Sequence, residues 1–433
     1  MQRATEMTPS EARRYAIVGN GVAGVTAAQA ITRANPSAEV HVFSAEPYPY
    51  YRRPLLWEFI AGQIEQDDLY FRPAAWYADH GIRLHLGVQV TSLDLAAHRI
   101  TFQAPSAQAH GDDSAMGYDR LLIATGGRPF VPPCEGTDKA GVFTLRTLDD
   151  ALAIKAYAQQ SSERKVSTAL VIGGGLLGLE TARALRTAGL DVTIVEFFPY
   201  LLPRQLDSEG AEVLQALLET QGLHVVTGAT TEAILGDVCA DCIRLKDSRV
   251  LEGELVLFST GIRSEVALAQ SAELDVNRGV VVNEHLQARW ADGRVAEDVF
   301  AAGDAAEFNG RVYGIIPPAI EQARVAAANM VAPGSAVYSG SLPTTTLKVA
   351  GAELTSLGEA VVESDEHLQL RHADVAAGHY RKFVLRDGRV VGAILLNDSQ
   401  RTRPVTQLIK QGVDVSGYAE RLLDDDFNLE ALL

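Results

Sequence analysis

The chain has 433 residues and a mass of 46.5 kDa, which predicts about two to three domains. Apolar residues make up 47% and charged residues 21%, as in ordinary globular proteins. The net charge of −17 disfavours nucleic acid or an anionic membrane as a partner. No apolar run is long enough to span a bilayer, and residues 1–14 lack a signal-peptide core, so we expect a cytosolic protein.

The first predicted element is a strand over residues 15–18 that runs into Gly19, Gly21 and Gly24, at G-x-G-x-x-G spacing. A helix is predicted over residues 23–31. The first glycine permits a tight turn, the second lets backbone amides approach a pyrophosphate, and the third lets helix and strand pack closely. Such a turn can also be purely structural, but a second copy later in the chain favours a nucleotide site.

Residues 39–43 form a second predicted strand, and an acid follows it. An acid at this point commonly binds the ribose hydroxyls of a dinucleotide, and we assign that role to Glu46, although Ser44 holds the usual strand end. Arg52 and Arg53 then stand beside two tyrosines. A solvated loop is one interpretation. We favour contact of Arg53 with a phosphate or a flavin, because guanidinium groups bind anions with forked geometry and stack on rings.

The opening pattern repeats at Gly173, Gly175 and Gly178, after a strand over residues 169–172. Two dinucleotide folds predict two nucleotides, and the simplest function is hydride transfer from a nicotinamide to a flavin. The alternative is one inactive copy that is kept as a scaffold.

The strand after the second copy, residues 191–195, ends at Glu196. A carboxylate at this position accepts hydrogen bonds from both adenine-ribose hydroxyls and repels a 2′-phosphate. Phe197 and Phe198 follow, and neither can hold such a phosphate. The pattern therefore favours NADH over NADPH, although Arg204 could still reach a 2′-phosphate.

The other predicted elements lie between and after these two copies. They are a strand at 87–90, a polar hairpin tip at 104–117, a buried strand at 118–129, a helical crossover at 137–165, a helix at 208–218, a strand at 224–227, a strand at 255–263, a strand ending at 303–304, a helix at 315–330, a linker from 333, strands at 345–349, 382–385 and 390–396, a helix at 405–411 and a solvated acidic tail at 424–426.

Two segments resemble signatures of the pyridine nucleotide-disulfide reductase superfamily. They are segment 118–129, with its Thr-Gly end, and the strand ending at Gly303 and Asp304. Within it, residues 201–207, 260–263 and 346–351 are similar to NADH:rubredoxin reductases and the FAD/NAD module of NADH-dependent nitrite reductases. The resemblance covers nearly the whole chain.

The resemblance implies an α/β fold with two Rossmann-like (three-layer ββα) dinucleotide-binding domains, the second inserted in the first, and a C-terminal α+β domain. The implied FAD-binding domain is 12–148 with 262–335, the NAD-binding domain is 149–261 and the C-terminal interface domain is 336–433.

The resemblance also implies which residues bind the two cofactors. Asp304 would bond the ribityl chain of FAD, and the helix start near residue 316 would face the anionic edge of the reduced flavin. The implied FAD contacts are Gly19, Gly21, Val22, Ala23, Gly24, Ala45, Glu46, Arg53, Pro54, Val90, Ala124, Thr125, Gly126, Arg128, Gly303, Asp304, Ile316, Ala319 and Lys348. The implied NAD contacts are Gly173, Gly175, Leu177, Gly178, Glu180, Glu196 and Gly261.

One departure from the superfamily concerns cysteine. Disulfide reductases carry a redox cysteine pair after the first acid, and peroxidase-type relatives carry one cysteine, but residues 47–70 contain none. Thiol chemistry is therefore not expected, no side chain is assigned as catalytic, and the flavin is the reactive group. Cys134 is isolated, and Cys239 with Cys242 lies in an expected surface hairpin, so we expect no metal site.

The leading hypothesis is an FAD-dependent NADH oxidoreductase that passes electrons to a small protein such as rubredoxin or ferredoxin. Rubredoxins are generally acidic, so this acidic chain would need a local basic patch. The candidates for that patch are Arg52, Arg381, Lys382, Arg386, Arg401 and Arg403. The competing hypotheses are a flavin subunit of a nitrite reductase system with a partner chain, an NADH oxidase that uses oxygen, and an FAD- and NADH-binding redox sensor with little turnover. A monomer and a homodimer both remain open.

Overall fold

The structure is a computed structural model that describes residues 13–103, 114–159, 166–342, 344–349, 351–362 and 366–433. Its helices are α1 (Val22–Ala34), α2 (Leu56–Ile60), α3 (Gln66–Leu69), α4 (Ala74–Asp79), α5 (Leu148–Ala158), α6 (Leu176–Thr187), α7 (Ser208–Thr220), α8 (Ala267–Ser271), α9 (Ile316–Val331) and α10 (Thr402–Gln411).

The strands of the first half of the chain are β1 (Arg14–Val18), β2 (Glu39–Ser44), β3 (Ile82–Leu86), β4 (Gln89–Asp94), β5 (Arg99–Gln103), β6 (Ser114–Gly117), β7 (Arg120–Ile123), β8 (Gly127–Pro129), β9 (Val142–Thr144), β10 (Thr168–Ile172), β11 (Asp191–Val195) and β12 (Leu223–Val226). Those of the second half are β13 (Thr231–Leu235), β14 (Cys242–Leu245), β15 (Val250–Glu252), β16 (Leu255–Phe258), β17 (Ile262–Ser264), β18 (Val280–Val282), β19 (Gln287–Arg289), β20 (Val295–Ala301), β21 (Ala306–Phe308), β22 (Thr344–Val349), β23 (Ala352–Gly358), β24 (Leu368–Asp374), β25 (His379–Arg386) and β26 (Arg389–Leu396).

The chain divides into two compact units, and the first comprises the described residues up to Arg52, Gln66–Arg128 and Ile262–Ser341. Its main sheet has the strand order β21-β18-β19-β20-β7-β1-β2-β3, with β20, β7, β1, β2 and β3 parallel. Helices α1 and α9 pack together through small buried residues, and the antiparallel sheet β4-β5-β6 contacts β2. These are the layers of a dinucleotide-binding fold.

The alanine-rich sequences of α1 and α9 explain their close packing. Ala27 and Ala28 on α1 and Ala323 and Ala326 on α9 have no exposed surface. Methyl-sized side chains let two helices approach closely while each still buries an apolar face. Helices α1 and α9 therefore form a closely packed pair within the first unit.

The second unit comprises Arg53–Glu65, Pro129–Gly261 and Leu342–Leu433. It contains a parallel sheet with the order β12-β11-β10-β16-β9, and an antiparallel sheet β13-β14-β15. The near-continuous apolar sequences of β10 and β16 are typical of strands that are buried on both faces. Helix α6 packs on β11, as expected for a second nucleotide fold.

The C-terminal part of the second unit is an antiparallel sheet with the order β22-β23-β26-β25-β24, against which α10 packs. Two of its strands, β23 and β24, were not among the predicted elements, whereas β22, β25, β26 and α10 were. The α/β class with two Rossmann-like folds and an α+β C-terminal part is confirmed. The domain boundaries stay a prediction. Of the expected hairpin tip, residues 104–113 lie outside the described residues, and residues 114–117 form β6.

Candidate functional site

The first glycine turn joins the end of β1 to the start of α1. A Cβ on Gly19 would lie 2.1 Å from the carbonyl oxygen of Ala124, and one on Gly24 would lie 1.9 Å from the carbonyl oxygen of Gly19. A Cβ on Gly21 would meet no atom of the described residues within 4 Å. Packing therefore requires glycine at the two outer positions, while the middle position borders open space that suits a closely approaching ligand.

The start of α1 offers unsatisfied backbone donors at this turn. Gly21 is the N-cap and supplies no side-chain hydrogen bond, and the first turn contains no acid. By contrast, α5 begins with a capping box in which Thr147 and Asp150 bond each other's backbone amides. The free amides and the positive helix end of α1 therefore suit an anionic group such as a pyrophosphate.

The acid predicted to bind ribose, Glu46, lies just beyond β2. The hydroxyl of Ser44 donates to the carbonyl oxygen of Glu46 at 3.0 Å, and the Gly87 N–H donates to the same oxygen. The hydroxyl of Tyr51 donates to Oε2 of Glu46 at 2.5 Å. The carboxylate is thus oriented by its neighbours, and Tyr51 is an orienting residue that the sequence pattern did not reveal.

The turn at Gly303 lies beside the first glycine turn in the same unit. A Cβ on Gly303 would come within 3.0 Å of the Ala23 side chain, and Gly303 adopts a φ of 77°. Its N–H donates to Oε1 of Gln322 at 2.9 Å, and the carbonyl oxygen of Asp304 accepts from the Ser264 hydroxyl at 2.6 Å. Gln322 is buried on α9 and was not singled out from the sequence. These bonds fix the backbone that carries Asp304.

The Thr-Gly end after β7 is held by Glu265. Thr125 donates from Oγ1 to the carbonyl oxygen of Glu265 at 2.6 Å, and the Glu265 N–H donates to the carbonyl oxygen of Gly126 at 2.8 Å. The exposed Arg128 lies 3.7 Å from the Glu265 carboxylate. The other predicted FAD residues of this unit vary in exposure: Val90 and Ala319 are buried, Val22 is partly buried, and Ala45 and Ile316 are exposed.

The second unit holds the remaining predicted FAD residues. Arg53 donates from a terminal guanidinium nitrogen to the carbonyl oxygen of Arg146 at 2.6 Å, and the exposed Pro54 follows it. Lys348 lies on β22, and its side chain is outside the described part of the structure.

The second glycine turn repeats the geometry of the first. A Cβ on Gly173 would lie 2.3 Å from the carbonyl oxygen of Ser259, and one on Gly178 would lie 2.0 Å from that of Gly173. One on Gly175 would meet no atom within 4 Å in the part of the chain that the structure describes. Gly175 caps α6 without a side-chain bond, and no acid lies in the first turn, which includes Leu177. Each unit thus has a glycine turn with an open middle position and an uncapped helix.

Glu196 follows β11 and is nearly buried. Its Oε2 accepts from the Gly174 N–H, and its Oε1 accepts from the Phe198 N–H at 2.8 Å. Phe197 exposes 64% of its surface, and its ring stands edge-on to that of Phe198. The carboxylate is therefore anchored directly against the second glycine turn, with aromatic surface beside it.

Glu180 lies on α6, two residues after Gly178. Burial, together with the negative charge of Glu58, raises the pKa of Glu180 to about 7. Glu58 lies on α2, which packs against α6. The carboxyl of Glu180 can therefore hold a proton at neutral pH. Gly261, with a φ of 96°, accepts from the Phe130 N–H at 2.9 Å through its carbonyl oxygen.

Three of the six candidates for the expected basic patch are buried. Lys382 is 1% exposed and lies 2.9 Å from Asp207, while Arg381 and Arg401 are buried against Asp398. That part of the expectation is wrong, because the C-terminal sheet buries these cations among acids. The candidate Arg386 is half exposed and pairs with Glu359 at 3.0 Å, whereas Arg403 and Arg52 are exposed.

The acidic tail, residues 424–426, is exposed as predicted, and it also makes specific contacts with two arginines. Arg381 binds the side chain of Asp425 at 3.0 Å, and Arg401 donates to the carbonyl oxygens of Leu422 and Asp425 at 3.1 Å. The tail backbone therefore covers the two buried arginines, although the Asp425 carboxylate itself is exposed.

The three cysteines are free and partly buried. Burial and nearby carboxylates raise the pKa of both Cys134 and Cys242, so these thiols are largely protonated at neutral pH. Within the described residues, no group of three or more histidine, cysteine or acidic side chains is placed to hold a metal. In the same part of the chain, no helix has the length and apolar character needed to cross a membrane.

The fold and the paired glycine turns define a protein with two dinucleotide-binding folds. The family model for pyridine nucleotide-disulphide oxidoreductases matches residues 13–329, and that for the rubredoxin NAD+ reductase C-terminal domain matches residues 343–413. The chain belongs to the pyridine nucleotide-disulphide oxidoreductase family, whose members use FAD and NAD(P)H.

Three relatives illustrate this kinship. The chain is 35% identical over 405 residues to nitrite reductase [NAD(P)H] of Bacillus subtilis (strain 168), covering 93% of this chain and 48% of that protein. It is 30% identical to the ferredoxin–NAD(+) reductase component of the biphenyl dioxygenase system of Paraburkholderia xenovorans (strain LB400), covering 96% and 98%. It matches the structure of NADH:rubredoxin oxidoreductase from Clostridium acetobutylicum with a TM-score of 0.74 and 25% identity, covering 97% and 99%.

The relatives differ in length. The chain spans about half the length of the nitrite and nitrate reductase proteins that it matches, whereas it spans almost the whole ferredoxin reductase component. The expected superfamily and its oxidoreductase class are confirmed.

Proposed function

We propose that this protein is an NADH-dependent flavoenzyme that passes electrons from NADH through FAD to a small redox protein such as rubredoxin or ferredoxin. The observation that carries the proposal is the repeated turn geometry, with one open middle glycine and one uncapped helix in each unit. Two such turns in one chain suit two dinucleotides. The absence of cysteine from residues 47–70 leaves the flavin as the reactive group.

The residues of the first unit would hold FAD by its polar parts. The amides at the start of α1 would bind the pyrophosphate, Glu46 would accept from the adenine ribose, and Asp304 would bond the ribityl chain. The uncapped start of α9, where Pro317 follows Ile316, would place its positive helix end toward the flavin. When bound, FAD supplies the chemistry, accepting a hydride from NADH and passing the electrons on.

The second unit would bind NADH, and we propose that it discriminates against NADPH. Glu196 is held beside the second turn by two backbone amides, so its charge cannot easily swing away from an incoming 2′-phosphate. Phe197 and Phe198 add no positive charge at this position. We retain 12–148 with 262–335, 149–261 and 336–433 as the proposed FAD, NAD and C-terminal domains, and the cytosol as the proposed location.

A small redox protein is the acceptor that the C-terminal part favours. Residues 343–413 match the C-terminal domain of rubredoxin reductases, and a ferredoxin reductase component has nearly the same length as this chain. Because the chain carries a charge of −17, an acidic acceptor must meet locally exposed cations such as Arg52 or Arg403.

A nitrite reductase system is the second candidate, favoured by the 35% identity to a nitrite reductase of which this chain matches about half. Such an activity would need a further redox centre outside this sequence. An oxygen-reducing NADH oxidase and a redox sensor with little turnover are the remaining candidate functions.

A comparison of acceptors tests the proposal. Steady-state NADH oxidation is measured with rubredoxin, with ferredoxin and with oxygen alone, and nitrite reduction is assayed with the chain by itself. We expect turnover with a small redox protein to exceed turnover with oxygen by at least about tenfold, a difference of about 1.4 kcal/mol in the barrier. Equal or faster turnover with oxygen would contradict the proposal, and negligible turnover with every acceptor would favour the sensor.

A further inference from the structure

The second glycine turn rests on a buried leucine segment. Leu201, Leu202 and Leu206 have no exposed surface, and the Leu202 N–H donates to the carbonyl oxygen of Gly174 at 3.1 Å. Leu202 has a φ of 52°, a conformation that bulky side chains rarely adopt. Such backbone strain persists only where the surrounding structure enforces it. The segment is therefore held in a shape that supports Gly174.

Gly174 is held by hydrogen bonds through both its N–H and its carbonyl oxygen. Its N–H donates to the Glu196 carboxylate, and its carbonyl oxygen accepts from Leu202. A Cβ at Gly174 would lie 2.5 Å from the Leu201 side chain and 3.1 Å from Glu196. Because Gly174 lies between Gly173 and Gly175, these hydrogen bonds fix the backbone of the turn itself.

The residue that anchors the leucine segment is Asp207. Its Oδ2 lies 2.9 Å from the Lys382 Nζ and accepts from the Tyr380 hydroxyl at 2.8 Å, while its Oδ1 accepts from the Gly210 N–H at 3.1 Å. Lys382 and Tyr380 each expose 1% of their surface on β25. The Asp207 carboxylate is partly buried, with 16% of its side chain exposed, and the half-exposed Arg371 lies 3.6 Å from Oδ2 as a second cation. A carboxylate with two cations and two further donors has little freedom to move.

The route from Asp207 to the turn is short and runs through backbone hydrogen bonds. Asp207 follows Leu206, whose N–H donates to the carbonyl oxygen of Leu202 at 2.8 Å, and Leu202 in turn donates to Gly174. A shift of Asp207 would therefore be transmitted to Gly174 within two hydrogen bonds.

We propose that Asp207, through its bonds to Lys382 and Tyr380, is a positioning residue that makes the C-terminal sheet set the affinity of the second glycine turn for NADH. The inference rests on the proposed function, in which this turn binds the pyrophosphate and adenine ribose of NADH. Asp207 acts through Leu202 and Gly174 and does not itself touch the nucleotide.

The test compares two variants of the full-length protein with FAD bound. Asp207→Asn keeps the size of the side chain and its ability to cap α7, but it removes the charge that faces Lys382. Val405→Ala is the matched control, because Val405 is fully buried in the core beneath the C-terminal sheet and its truncation opens a cavity there. If Asp207→Asn does not fold, Tyr380→Phe, which removes only one donor to Asp207, takes its place.

The readouts are the Kd of ADP-ribose by titration calorimetry and hydrogen exchange of peptides that contain Gly174 and Leu202. ADP-ribose carries the pyrophosphate and adenine ribose but cannot reduce the flavin. We expect Asp207→Asn to weaken ADP-ribose binding about fivefold or more and to raise exchange over residues 171–206, a coupling of ordinary size. In steady state, KM for NADH should rise while kcat stays near the wild-type value. Tyr380→Phe should produce a smaller change in the same direction.

The outcomes separate the inference from the proposed function. If wild type binds ADP-ribose and Asp207→Asn binds it equally well, the inference is overturned while the proposed function stands. If Val405→Ala weakens binding as much as Asp207→Asn, the effect is a general loss of stability and the inference is again overturned. If wild type does not bind ADP-ribose, the proposed function itself fails.

Discussion

Gly19 and Ala124 lie in contact, so that a Cβ on the glycine would fall 2.1 Å from the alanine carbonyl oxygen. Ala124 directly follows β7, and its N–H donates to the carbonyl oxygen of Val18 at 2.8 Å. The first glycine of the first motif is thus required by the Thr-Gly segment more than 100 residues later in the chain. The two sequence signatures are therefore parts of one packed structure. Contacts of this kind distinguish the glycines that packing requires from the glycine that a ligand would require.

We predict that Gly21→Ala leaves the fold intact but weakens FAD binding, because the added methyl group meets no atom of the described chain within 4 Å and points into the space proposed for the pyrophosphate. Gly24→Ala should instead destabilise the protein, by about 1–3 kcal/mol, since its methyl group would press on the Gly19 carbonyl. Thermal unfolding of the apoprotein and FAD titration distinguish the two. Wild-type FAD affinity in Gly21→Ala would contradict the assignment.

We predict that Phe197→Arg narrows the preference for NADH, because the exposed side chain at this position can carry a cation to a 2′-phosphate beside Glu196. Wild type should favour NADH over NADPH in kcat/KM by about tenfold or more. A hydrogen bond to a charged group such as the Glu196 carboxylate is typically worth about 1.5–3 kcal/mol, and NADPH would lose it. Phe198→Leu, which adds no charge, is the control. A wild type that uses both nucleotides equally would refute the role given to Glu196.

We predict that Lys382→Met destabilises the protein by about 1–3 kcal/mol, since it removes the buried cation of the partly buried Asp207 and leaves it with the half-exposed Arg371 at 3.6 Å. Burial alone would raise the pKa of Asp207, but the Lys382, Gly210 and Tyr380 hydrogen bonds outweigh it and lower the pKa below the ordinary value. A lowered pKa contributes stability at pH values above the unfolded pKa of about 3.9 and loses it as the pH falls below that value.

Urea unfolding at pH 3 to 7 measures this contribution. As the pH falls, the free energy of unfolding should decrease less in Asp207→Asn than in wild type. Arg386→Met, which breaks a half-exposed pair with Glu359, should cost less than about 1 kcal/mol and serves as the control. Equal losses for Lys382→Met and Arg386→Met would contradict the buried pair.

We predict that the carboxyl of Glu180 makes the apoprotein less stable as the pH rises. Because burial and Glu58 raise its folded pKa to about 7, the favourable contribution is complete below the unfolded pKa of about 4.3 and is lost as the pH rises through about 7. Glu180→Gln should flatten the unfolding free energy between pH 5 and 8, and Glu58→Gln should shift the loss to lower pH. A Glu180→Gln profile that parallels wild type would show that Glu180 is ionised in the fold.

We predict that replacing Cys134, Cys239 and Cys242 with serine leaves NADH oxidation within about twofold of wild type, since the flavin and not a thiol is assigned the chemistry. The raised pKa of Cys134 and Cys242 should also make their alkylation slow at pH 7. Mass spectrometry after brief iodoacetamide treatment measures that rate. Loss of turnover in the triple variant would contradict this prediction and indicate that a thiol takes part in the reaction.

The sequence predicted the parallel folds well, because their signals are local. A strand, a glycine turn and the start of a helix lie within about ten consecutive residues, and the positions where packing excludes a side chain are visible as glycines. The structure then explains each one: Gly19 and Gly24 meet carbonyl oxygens, while Gly21 meets open space. The acid Glu196 was equally predictable, because it directly follows the next strand.

The contacts that the sequence did not predict join residues far apart in the chain. Gln322 bonds the turn at Gly303, and Lys382 pairs with Asp207, 175 positions before it. A lysine or arginine in a sequence is expected at the surface, so Arg381, Lys382 and Arg401 were candidates for a basic patch. Only the fold shows that these three cations are buried beside acidic side chains. Strand β24 was missed because none of its residues is buried, so its sequence shows no apolar face.

Anaerobic stopped-flow spectroscopy of the purified protein tests the central claim most directly. The FAD-loaded protein is mixed with NADH, and the reduced protein is then mixed with oxidised rubredoxin or with air-saturated buffer. The account predicts rapid loss of the oxidised flavin absorbance with NADH, rapid recovery with rubredoxin and slow recovery with oxygen. Fast recovery with oxygen and none with rubredoxin would overturn the proposed acceptor, and a flavin spectrum that NADH leaves unchanged would contradict hydride transfer between the two sites.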